Sequence, residues 1–206
     1  MLIKLSNISH GGNFAIALRC PGCRQIGTFE PIQNVSDITN GSLFMGQRRC
    51  PSVQCRTQVF CVYDINSRVI KSYPPERIDF DPKNIPIPIA KTFTEAVACR
   101  AEGLHVASAI MIRRTLEELC EDKSAIGGTL KARITALQSS VVLPQSLLSA
   151  LDDLRLLGND AAHIEAKTFD AIGEEELDVA IELTKEILKS VYQLDDLLAR
   201  LRALKK

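Results

Sequence analysis

The chain has 206 residues, 46% hydrophobic and 24% charged, with 25 basic residues against 25 acidic ones. That is an ordinary globular composition, and its zero net charge excludes a uniformly basic nucleic-acid coat protein and an acidic disordered tail. With no Trp, 5% aromatics and no run approaching the roughly 20 apolar residues of a membrane span, neither a base-stacking platform nor a membrane partner is expected.

The first residues, Met1 to Phe14, are too polar for a signal peptide, so a cytoplasmic protein is expected. Seven cysteines in a reducing compartment then point to metal ligands or buried thiols rather than disulfides. Four of them form two close pairs, Cys20-Pro-Gly-Cys23 and Cys50-Pro-Ser-Val-Gln-Cys55, with 26 residues between. Each short loop lets two thiolates converge on one ion, and four soft ligands suit tetrahedral zinc. The expectation is a structural zinc ribbon, because four cysteines leave no open coordination position for catalysis. The second pair is wider than the common two-residue spacing, which makes Cys61 a rival fourth ligand. Short strands are expected over residues 14–18 and 59–63, with residues 27–29 and 42–45 pairing between them in a three- or four-stranded module. So small a core would draw much of its folding energy from the metal.

Arg48 and Arg49 precede Cys50, while Arg19, Arg24 and Arg56 stand beside the other cysteines. Arg48 and Arg49 are candidate nucleic-acid contacts facing phosphates. These cations can equally offset the −2 charge of a zinc tetrathiolate. His10 reads as a surface loop residue.

Five of the nine prolines fall in the stretch from Tyr73 to Ile89, which cannot form a helix or a central strand and reads as an extended linker. The expected organisation is a ribbon over residues 1–73, a linker over 74–88 and a helical bundle over 89–206. Charge divides near the same place. Residues 1–85 carry ten basic and six acidic side chains, so the neutral chain joins a +4 N-terminal part to a −4 remainder.

After the linker the spacing predicts helices over residues 89–103, 104–123, 130–137, 145–163 and 174–204. The second has apolar residues on more than one stripe and should be the central helix. Thr129 caps the third, and Glu174, Glu175 and Glu176 complement the dipole of the last. A seam through Leu177, Ile181, Leu188, Leu194, Leu198 and Leu201 is long enough to make homodimerisation a natural outcome. The fold class is therefore α+β, mainly α: a small β module followed by a bundle of four or five helices.

The chemistry-bearing stretch is Leu154-Arg-Leu-Leu-Gly-Asn-Asp-Ala-Ala-His163. Arg155, Asn159 and His163 recur every four residues and form a polar ladder on one helix face. Glycine inside a helix costs about 1 kcal/mol against alanine, so Gly158 should answer a packing need. The ladder can be a structural brace, with Arg155 paired to an acid such as Glu117 or Glu118. It can also be an RNA-cleaving site with His163 as acid or base and Arg155 on phosphate charge.

From Ile85 onward the sequence resembles the DUF4145 family of domains of unknown function. The matching features are the lead-in IPIPIAKTFTEA, the segment ASAIMIRRTLEELCEDK and LRLLGNDAAH. Members often carry a cysteine-paired N-terminal zinc segment. The family is grouped with the HEPN domains (higher eukaryote and prokaryote nucleotide-binding), many of which are dimeric ribonucleases of toxin, restriction and antiphage systems. The resemblance implies a HEPN-like bundle, a prokaryotic defence or restriction association with RNA, DNA or a defence-system protein as partner, and, if the chain is an enzyme, a metal-independent endoribonuclease. The HEPN catalytic pattern has Arg, four to six residues, then His. Here seven residues separate Arg155 from His163, and Gly158 stands five before the histidine. The candidate catalytic residues are Arg155, Asn159 and His163. The candidate zinc ligands are Cys20, Cys23, Cys50 and Cys55.

Overall fold

Hydrophobic alternation in the first third and three-and-four spacing in the rest produce two structurally different units, residues 1–79 and 80–206. The computed structural model describes residues 7–162 and 172–204.

The described residues of the first unit form an antiparallel sheet of seven short strands: β1 (Ile8–His10), β2 (Ile16–Arg19), β3 (Ile26–Pro31), β4 (Ile38–Asn40), β5 (Leu43–Arg49), β6 (Gln58–Asp64) and β7 (Val69–Tyr73). β5 is the spine. One edge pairs with β6 along its whole length; the other is shared, with β4 pairing Leu43–Met45 and β3 pairing Arg48 and Arg49. This corrects the expected pairing. Gly27, Thr28 and Phe29 pair with Leu18, Ala17 and Ile16 of β2, because the turn after Cys20 folds β3 straight back on β2. The sheet also has more strands than expected, since β1, β4 and β7 are short additions that a scan for apolar runs passes over.

The core of this unit gathers Ile16, Leu18, Phe29, Val59 and Tyr63 with Cys20, Cys50 and Cys61. Arg48 lies inside it as well. Adjacent strand residues point to opposite faces, so one of the pair Arg48–Arg49 must turn inward. Arg48 is fully buried and binds Asp37 through two nitrogens at 3.0 and 2.5 Å. It also donates to the Tyr63 hydroxyl at 2.8 Å and to the Phe14 carbonyl at 2.9 Å. Tyr63 donates to the same carboxylate. Gly46 makes room, since a side chain there would collide with Asp37. Burial opposes ionisation of Asp37, but the bonds from Arg48 and Tyr63 prevail and hold its carboxyl below the ordinary range.

Among its described residues the second unit has six helices: α1 (Ile87–Ala101), α2 (His105–Asp122), α3 (Leu130–Leu137), α4 (Gln145–Ala162), α5 (Glu174–Tyr192) and α6 (Leu194–Ala203). α2 is central, packing against α1, α3, α4 and α5 through Ala109, Ile112, Leu116 and Leu119. Thr129 accepts from the Ala132 amide at 3.2 Å and starts α3 as its sequence requires. Arg100 of α1 grips Asp178 of α5 with two bonds of 2.8 and 2.7 Å.

Two expectations are corrected. The linker does not extend to residue 88. Phe80 and Ile85 are buried in this unit, where Phe80 packs edge-on against Phe93 at 4.6 Å, and α1 begins at Ile87. Pro88 sits in the first turn of α1, where a missing amide donor costs nothing. The expected final helix is two. Gln193 (φ −112°, ψ −22°) is the cap residue between α5 and α6, and its side-chain amide donates to the carbonyls of Asp81 and Lys83 at 2.9 and 2.8 Å. The apolar seam is buried through Leu188 and becomes exposed beyond the break. Among the described residues, no helix is long and apolar enough to cross a membrane.

Candidate metal centre and helix ladder

The four paired cysteines converge. Cys20 follows β2 and Cys23 lies in the turn to β3; Cys50 follows β5 and Cys55 precedes β6. Two hairpin knuckles thus face each other, fastened by backbone bonds from Cys20 to Gln25 (2.9 Å) and from Cys50 to Thr57 (2.8 Å). The four Sγ atoms all lie within 4.8 Å of one another, with Cys20–Cys55 and Cys23–Cys50 both at 3.7 Å. These four residues can hold a metal ion. Cys61 is not among them; it is fully buried on β6, paired across the sheet with Gly46 and Ser72.

The thiols are unequal. The Thr57 hydroxyl, 3.0 Å from Cys55, followed by its backbone amide, stabilises the Cys55 thiolate and draws its pKa down to about 6. Burial pushes Cys50 up to about 12. A cation shared by the cluster would reverse that penalty by pairing each thiolate with positive charge.

The arginines beside the knuckles separate. Arg48 is removed from any phosphate-facing role by its burial on Asp37, which corrects the expectation for that residue. Arg49 is exposed and sits across the ladder from Glu30. Arg19 donates to the Arg24 carbonyl at 3.1 Å, and Arg24 lies 4.0 Å from Asp79.

On α4, Arg155 and Asn159 occupy the same face but have different partners. Arg155 bonds Asp152 one turn back at 2.7 Å, not Glu117 or Glu118. Those two acids pair one turn along their own helix, with Arg113 at 3.1 Å and Arg114 at 3.0 Å. Asn159 accepts from Arg113 of α2 at 3.3 Å. His163 lies outside the described residues. Gly158 faces α2 directly, against the Arg113 side chain and the Ala109 carbonyl, which is the packing need the sequence implied.

Arg113 is the residue that sequence reasoning passed over. Its signal was faint: an Arg-Arg pair four residues before a Glu-Glu pair reads as solvated helix charge. Only the close crossing of α2 and α4 brings it to Asn159.

A family model described as Domain of unknown function (DUF4145) matches residues 94–204. No curated protein and no solved structure matches the chain.

Proposed function

The chain belongs to the DUF4145 family through its helical unit, and on that premise we propose that it is a non-catalytic docking protein with a structural zinc ribbon. Its HEPN-like bundle presents surfaces to a partner, and the α4 ladder is a brace. One observation carries this reading. Arg155 and Asn159 are both engaged within the chain, Arg155 by Asp152 of its own helix and Asn159 by Arg113 of α2, and the second bond ties α4 to α2 as a brace does. Zinc suits the ribbon. A tetrahedron of sulfurs at the usual 2.3 Å zinc–thiolate distance has edges of about 3.8 Å, and two Sγ–Sγ distances here are 3.7 Å. Such an ion would fasten the two hairpins and leave no position for substrate.

A second reading has its own support. Arg113 of α2 reaches Asn159, which stands four residues after Arg155 on the helix that precedes His163 in sequence, so that helix carries one guanidinium group and is contacted by another. In that reading the chain is a prokaryotic defence or restriction-associated protein that engages nucleic acid and cleaves RNA. His163 moves the proton, Arg155 steadies phosphate charge and Asn159 orients the site. An RNase assay on wild type and His163→Ala separates the two. The docking reading expects no cleavage above background by either protein. Cleavage by wild type that His163→Ala abolishes would overturn it in favour of the second.

A further inference from the structure

Helix α6 has no buried residue. Leu194, Leu197, Leu198 and Leu201, with Leu204 just beyond, are 47%, 54%, 40%, 52% and 84% exposed. At about 100° per residue these five leucines form one stripe about 120° wide. A ten-residue helix is also shorter than the ~12–15 residues at which an isolated helix becomes even marginal in water. Both facts call for a covering surface.

The charges along the stripe specify it. Asp195 and Arg202 lie within about 20° of each other around the helix and border one side; Asp196 and Arg200 lie within about 40° and border the other. Each border therefore has an acid near the N-terminal end and a base near the C-terminal end. In an antiparallel pair of helices, like borders face each other. A second copy laid antiparallel on α6 meets acid with base on both borders in one register, its two Leu198 side chains near the symmetry axis. A parallel copy would set acid on acid and base on base. The same charges complement the dipole of α6 itself, which explains their positions at its ends but not the leucine stripe. Asp196 already has Lys83 at 3.7 Å, so the Asp195–Arg202 border is the diagnostic one.

We infer that a second copy of this chain covers α6 in antiparallel orientation, interleaving the leucines and setting Asp195 against Arg202 of the partner subunit. The inference rests on the docking reading of the bundle and supplies the occupant. One short helix face is smaller than the roughly 800 Å² per partner of a standard interface, so the association is reversible and concentration-dependent.

Sedimentation equilibrium of the full chain over a wide concentration range tests this. Wild type should dimerise reversibly, and Leu197→Glu/Leu201→Glu should stay monomeric. Asp195→Lys should weaken the dimer about tenfold, because the symmetric contact is lost twice. Adding Arg202→Asp to Asp195→Lys should restore it. A pure helix-dipole role predicts the opposite, since the double variant carries two unfavourable end charges. All four positions substituted are surface positions, so circular dichroism should match wild type throughout. Monomer at every concentration, a dimer that withstands the leucine substitutions, or a double variant no better than the single overturns the inference. None of these outcomes bears on RNA cleavage. Conversely, His163-dependent cleavage would remove the docking reading without altering the sedimentation result.

Discussion

Gly158 of α4 lies so close to Arg113 of α2 that a Cβ on the glycine would overlap the Cβ of the arginine, and it would sit 3.0 Å from the Ala109 carbonyl oxygen. Neither obstacle is the end of a flexible side chain. Gly158→Ala gains about 1 kcal/mol in helix propensity but forces the two helices apart, at a typical overpacking cost of about 1–3 kcal/mol. The expected result is a lower thermal midpoint for the bundle. An unchanged or raised midpoint would show that the crossing is not tight.

The buried pair Arg48–Asp37 gives a pH-dependent prediction. Asp37→Asn leaves a buried guanidinium without its counter-charge and should cost about 3–5 kcal/mol at neutral pH. The Asp37 carboxyl titrates below its ordinary value in the folded protein. Its contribution is therefore complete above the unfolded value near ~4 and disappears as pH falls through that range toward the lower folded value. Wild type and Asp37→Asn, compared by amide exchange in β5 and β6, should differ most at neutral pH and converge in acid. A gap that does not narrow would mean that the carboxylate charge is not what stabilises the sheet.

Metal removal should act on one unit. Zinc content is expected at about one ion per chain. A strong chelator, or Cys20→Ser, should abolish amide protection in residues 7–79 while the helices of the second unit keep theirs, because the sheet has only a small core of its own. Full protection of the sheet after chelation would mean that its packing suffices without metal.

Arg49 is the member of the arginine pair that remains available to an anion. If the ribbon contacts nucleic acid, Arg49→Ala should weaken binding and reduce the log–log salt slope by about 1. A slope unchanged by the substitution would assign Arg49 to local charge balance with Glu30.

The sequence alone carried the division into a cysteine-bearing β part and a helical part, the four-cysteine pairing, most helix positions and the placing of Arg155 and Asn159 on one face of α4. Those features depend on spacing: two knuckles need paired thiols, and a helix face needs residues three and four apart. What spacing cannot carry is the identity of the neighbour. Arg48 and Arg49 read alike until the strand pleat sends one of them onto Asp37, a partner 11 residues away in sequence. The final helix read as one continuous seam until Gln193 bonded two carbonyls 110 and 112 residues earlier. Arg113 joined the ladder only through the helix crossing at Gly158. In each case local periodicity set the element, and a long-range contact set which side chains are buried, paired or left exposed.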